Sequence, residues 1–183
     1  MAKRIASQMP ASSVLSFSGI NNTKGGVMTQ TATYLAPNAK QAICEALNQA
    51  VAETAVTTML AQNFHWNVTG MAFGPLHDLF QKIYEDHFTA QDDLAERIKA
   101  LGGHAEGQLA GMLKRSKVAE HDGHAKAETM VETLAKAQDT IAATLAGVAS
   151  VAEDHGDLLT QDLAIGRGQV HEKFAWLLRA HLG

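Results

Sequence analysis

Four side chains in the first half of the chain have the chemistry of a metal site: His65, His77, Asp92 and Glu96. Imidazole nitrogen and carboxylate oxygen together suit iron, manganese or zinc. The bland alternative is a set of capping, surface and core residues, and with 9 histidines and 19 acids in the chain it competes at every single position. Spacing therefore carries more weight than identity. A di-metal centre inside a four-helix bundle needs Glu-x-x-His pairs pointing into the core, and this sequence contains no Glu-x-x-His. That arrangement is excluded.

The elements that must position these residues follow from periodicity. Pro37-Asn38 opens a helix that runs to about Asn67, with Asn38 as the expected cap. Ile43, Leu47, Val51, Thr54, Thr58, Ala61 and His65 recur along one face at three- and four-residue steps. Gly70 and Gly74 mark a corner. Pro75 suits the first turn of a second helix, which should stop at Gly102-Gly103. Its apolar stripe is Leu76, Leu79, Phe80, Ile83, Ala90, Leu94, Ile98 and Leu101. A long connection over 104–124 holds a short apolar piece, LAGML, with room for a short helix. A third helix spans about 125–153. A fourth covers about 160–182, with Leu163, Val170, Phe174, Leu177 and His181 as its stripe. Four long amphipathic helices predict an all-α four-helix bundle.

Turning by about 100° per residue, the second helix carries His77, Gln81, Asp92 and Glu96 away from its core stripe, beside Tyr84 and Phe88. A face that mixes ligands with aromatics is the kind another subunit covers. His77 and Asp92 are separated by about 22 Å of helix rise, so one ion cannot bind both within one chain. His65, closing the first helix, should lie near His77. The four residues thus form two half-sites, His65/His77 and Asp92/Glu96. An antiparallel two-fold contact would set one chain's histidines against its partner's carboxylates.

Composition narrows the remaining classes. Cys44 is the only cysteine among 183 residues, so a disulfide framework or cysteine zinc site is excluded and a reducing, cytoplasmic setting is expected. No secretory leader and no run long and apolar enough to span a membrane are seen. Residues 1–36 are rich in Ser, Thr, Asn and Gly and read as a flexible arm, leaving 37–183 as the bundle domain. Residues 1–40 hold Lys3, Arg4, Lys24 and Lys40 and none of the acids, a mildly basic arm on an acidic body.

The segments FHWNVTG (64–70), LHDLF (76–80), the Asp92-x-x-x-Glu96 pair within DDLAERIKALGG, and HEKFAWLLRAHL (171–182) occur in order. In these pieces, over about residues 38–182, the sequence resembles the Dps family, the DNA-binding proteins from starved cells, which are mini-ferritins. The resemblance implies a ferritin-like four-helix bundle with a short extra helix between the second and third, assembled as a hollow homo-dodecamer. It implies a ferroxidase site across the two-fold interface, with His65 and His77 from one subunit, Asp92 and Glu96 from the other, and Trp66 alongside. Relatives oxidise Fe(II), usually with hydrogen peroxide, and store ferric mineral in the shell; zinc fits the same ligands. Many bind DNA and associate with the nucleoid. The resemblance also places Glu153, Asp157 and Asp162 around a three-fold pore through which iron enters, although Asp157 equally suits a helix cap.

One position departs from the pattern: Gln81 stands where the family usually has an acid, which weakens a second iron position. His87 and His171 are candidate replacement ligands, with hydrogen-bonded interior histidines as the plainer reading of both. Lys3, Arg4 and Lys24 are the candidate phosphate contacts, sequence-independent and strengthened by avidity; an inert tail is the competing reading. Two further function classes stay open. One is a structural DNA-compacting particle with a vestigial metal site, and the other, more remote, is a zinc hydrolase.

Overall fold

The computed structural model describes residues 34–183. Lys3, Arg4 and Lys24 lie outside them. The described chain forms five helices: α1 (Pro37–Asn67), α2 (Phe73–Ala100), the short α3 (Leu109–Arg115), α4 (Ala127–Asp154) and α5 (Leu158–Arg179). α1 packs on α2 and α4, α4 packs along α5, and α3 lies against α1. The all-α bundle with one extra short helix is therefore present as expected.

α1 is Ala-rich and free of internal proline, and buries Ile43, Leu47, Val51, Ala61 and Phe64. Its start differs from the expected cap. Ala36 occupies the N-cap, with no side-chain cap, and Pro37 begins the first turn, where its missing N–H costs nothing. Asn38 is simply helical. α2 likewise begins earlier than Pro75, at Phe73, because the Phe73 N–H closes a turn on the Gly70 carbonyl at 3.0 Å. Gly70 takes a φ of 100°, which favours glycine.

The Gly102-Gly103 stop acts as the sequence suggests. Gly102 adopts φ 85°, its N–H bonds the Lys99 carbonyl, and the Gly103 N–H bonds the Ile98 carbonyl at 2.9 Å. Gly103 is required for a second reason: a Cβ there would lie 2.6 Å from Cys44 Sγ. Polar side chains of α1 then clamp the long connection. Asn48 donates to the His104 carbonyl and accepts from the Glu106 N–H, Gln49 donates to the Arg115 carbonyl, and Asn63 donates to the His121 carbonyl.

The α5 stripe is a correction. The buried residues are Thr160, Ala164, His171, Ala175 and Leu178, one position round from the expected face. Leu163, Val170, Phe174 and Leu177 are half-buried at its edge, and His181 is exposed beyond the helix end. Small residues and a histidine occupy the core line here, so large apolar residues point to its flank. The packed chain also reaches further towards the N-terminus than residue 37. Leu35 is buried, and Tyr34 Oη donates to Asp157 Oδ1 at 3.0 Å.

Candidate metal centre

His65, in the last turn of α1, and His77, in the first turns of α2, meet across the corner at Gly70. Their rings stack with centroids 3.7 Å apart and planes 20° from parallel. Each ring bonds the other residue's main chain: His65 Nδ1 to the His77 carbonyl and His77 Nδ1 to the His65 carbonyl, both at 2.9 Å. A carbonyl only accepts, so each Nδ1 carries the hydrogen. A neutral ring then keeps its lone pair on Nε2, the tautomer a metal ligand needs. Orientation of a ligating imidazole by a carbonyl on its other nitrogen is the usual outer support of a metal site. Phe73 stacks on the His77 ring at 5.0 Å, and Tyr84 meets His65 edge-on at 5.3 Å.

Asp92 and Glu96 are exposed on the outward side of α2, four residues apart and so on one patch. Among the described residues, no three His, Cys, Asp or Glu side chains of one chain form a metal-binding group. The structure pairs His65 with His77 and sets Asp92 and Glu96 on the same helix as His77, toward its other end. The stretch of α2 between them mixes the exposed Phe88, at 72%, with the exposed Lys82, Glu85 and Thr89. Trp66, on α1, is 62% exposed beside a separate groove of about 380 Å³ lined by Met59, Leu60, Met112 and His121. Gln81, on α2, is half-buried, and its Nε2 donates to Glu85 Oε1 at 2.7 Å.

His87 and His171 stand elsewhere. Both are fully buried inside the bundle, so neither faces the patch that carries Gln81, Asp92 and Glu96. They belong to a hydrogen-bonded chain across three helices. The Arg167 guanidinium donates to Asp86, Asp86 accepts from His87 Nδ1, Gln138 Nε2 donates to His87 Nε2 at 2.9 Å, and Gln138 Oε1 accepts from His171 Nδ1 at 2.7 Å. Burial pushes the His87 imidazole below its ordinary value despite the neighbouring Asp86. Burial, reinforced by His87 and Arg167, takes His171 down to about 2. Burial raises the Asp86 carboxyl, but the hydrogen bonds from His87 and Arg167 outweigh it and hold Asp86 well below the usual carboxylate range. The plainer reading of both histidines is the one their surroundings support. Gln138 was missed because a lone polar residue in an apolar stripe leaves no periodic signal.

Asp157 also departs from the pore expectation. It is fully buried, caps α5 by accepting from the Thr160 N–H and Oγ1, and receives Arg97 Nη2 at 2.7 and 2.9 Å. Burial raises its carboxyl, yet the bonds from Arg97 and Thr160 bring it below the ordinary value. Its oxygens are taken by structural donors. Glu153 and Asp162 remain exposed at this corner.

A model of the ferritin-like domain matches residues 44–183. The chain is 37% identical over 140 residues to DNA protection during starvation protein 2 of Bacillus anthracis, covering 76% of this chain and 96% of that protein. It belongs to the Dps branch of the ferritin-like family. General stress protein 20U of Bacillus subtilis (strain 168) is 35% identical, with 77% and 97% coverage. The solved Staphylococcus aureus Dps structure aligns with a TM-score of 0.76 at 35% identity, over 78% of this chain and 96% of that one. The Vibrio cholerae O1 Dps, described as a ferritin-like diiron-carboxylate protein, aligns at 0.79 with 28% identity, over 85% and 98%. Among the described residues of this Dps chain, no helix is long and apolar enough to cross a membrane.

Proposed function

We propose that this Dps chain oxidises Fe(II), with hydrogen peroxide as oxidant, and stores the ferric product inside a hollow dodecamer, so protecting DNA from oxidative damage. The observation that carries this reading is the reciprocal His65–His77 lock between α1 and α2, which occupies both Nδ1 atoms and leaves both Nε2 lone pairs for a ligand, with Asp92 and Glu96 further along α2. The exposed Phe88 and Trp66 fit burial by a second copy. An antiparallel copy would bring its carboxylates to the histidines.

In this reading iron is the substrate. The imidazoles and carboxylates bind ferrous ions side by side, and the anionic oxygens favour the ferric product. Each ferrous ion gives up one electron, and the peroxide O–O bond takes the pair and breaks. Water completes the ferric oxyhydroxide and releases protons, for which exposed carboxylates are ready acceptors. Glu153 and Asp162 would draw cations toward the shell. Zinc suits the same donors and would act as a competitor for the site.

Anaerobic Fe(II) loading followed by peroxide tests the proposal. Rapid oxidation to a soluble ferric core is expected. His77→Ala and Asp92→Asn should each slow the initial phase at least about tenfold. Ferric precipitation outside the protein at the uncatalysed rate would leave the competing reading, a DNA-compacting particle whose metal site no longer works; Gln81 in place of an acid is the observation that favours it.

A further inference from the structure

His65 and His77 are not held alike. The His65 ring is buried, with Tyr84 edge-on against it at 5.3 Å. His77 is only half-buried, near the start of a helix that has no side-chain cap. One face of its ring lies on His65, with centroids 3.7 Å apart, and Phe73 stacks on it at 5.0 Å with the planes 29° apart. Phe73 opens α2 and His77 stands four residues on, so both project from one side of the helix. Helical side chains lean toward the N-terminus, which carries the imidazole back onto the phenyl ring. The corner fixes Phe73 in turn, since its N–H bonds the Gly70 carbonyl at 3.0 Å. Phe73 is nevertheless 46% exposed. A phenyl ring half in solvent yet stacked on an imidazole contributes less to the core than to that imidazole.

We propose that Phe73 is a positioning residue for the metal centre, holding the His77 ring against His65 so that Nε2 keeps the direction a cation needs. A single bond from Nδ1 to the His65 carbonyl leaves the ring able to tilt about it, and the aromatic stack removes that freedom. Confining the ring beforehand removes an ordering cost that binding would otherwise carry. A cation on Nε2 also draws electron density from the imidazole, and the negative face of a phenyl ring attracts a ring made positive in that way. The contact is therefore stronger with metal bound than without it. Phe73 itself touches neither iron nor oxidant. Leucine would fill much of the same space but has neither a flat wall nor a π face. Tyrosine has both.

The inference rests on the shared-site reading, and anaerobic Co(II) titration of the assembled protein separates the two. Phe73→Leu should weaken Co(II) binding about tenfold, as the loss of an outer support of a ligand does. Phe73→Tyr should bind as the wild type. In Fe(II) oxidation the leucine variant should raise the half-saturating iron concentration by a similar factor and leave the limiting rate nearly unchanged, the pattern of lost binding rather than lost chemistry. Light scattering checks that each variant assembles, and Phe73→Met provides a second apolar side chain without a ring. Wild-type Co(II) affinity in the leucine and methionine variants, or a tyrosine variant as weak as leucine, would overturn the role of Phe73. Full Co(II) binding by His77→Ala and Asp92→Asn would instead overturn the shared site itself.

Discussion

A buried neutral histidine makes stability depend on acidity, and His171 is the clearest case. Its folded value of about 2 lies below the roughly 6.5 of a free imidazole. The unfolded chain therefore binds the extra proton first as pH falls. The contribution of His171 is complete above about pH 6.5 and is lost below it, at about 1.4 kcal/mol per pH unit. Chemical denaturation at pH 7.5 and pH 5 should show this loss, and His171→Gln should make the dependence shallower by about one proton. An equal pH slope in the variant would contradict the assignment. The meeting of His65 with His77 was legible because His65 continues a periodic stripe to the end of α1 and His77 opens the next helix. The partners of His87 and His171 were not, since contacts between α2, α4 and α5 have no fixed sequence spacing.

Between helices, the corner joining α4 to α5 depends on one ion pair. Arg97, from the far end of α2, reaches the buried Asp157, and Arg97 Nε also donates to Thr160 Oγ1. Removing either partner strands a charge, so Arg97→Ala and Asp157→Ala should each cost about 3 kcal/mol in thermal or denaturant unfolding. A loss under about 1 kcal/mol would mean that water replaces the contact. Gly103→Ala tests a second junction. The new methyl would press on Cys44 Sγ and on Ile98 Cγ2 at 2.9 Å, for an expected cost of about 1–3 kcal/mol. All four long helices could be read from apolar periodicity, and Gly102-Gly103 fixed one boundary. The starts of α1 and α2 were displaced because neither has a side-chain cap. The α5 face was misjudged because size, the usual guide to a core stripe, fails where Ala164, His171 and Ala175 line the interior.

At the scale of the whole molecule, the proposed division of the site between subunits makes a specific demand. A chain carrying His65→Ala and His77→Ala and a second carrying Asp92→Asn and Glu96→Gln should both be inactive alone. Unfolded together and reassembled, they should recover about a quarter of the wild-type sites, since half the pairs are mixed and each mixed pair rebuilds one site of two. Recovery of no activity in mixed assemblies of normal size would count against a divided site. The separation of His65 and His77 from Asp92 and Glu96 could be read from helix rise alone; the exposure of Phe88 and Trp66 could not, because it depends on how the helices pack. The Tyr34–Asp157 contact has a mechanical consequence for the bundle. Tension applied through residues 1–33 would be delivered at Tyr34 to Asp157, and so to the N-terminus of α5 and, through Arg97, to the end of α2. Pulling from that end would load a braced joint between two helices, and the bundle would bear the force at that joint rather than by peeling α1 away.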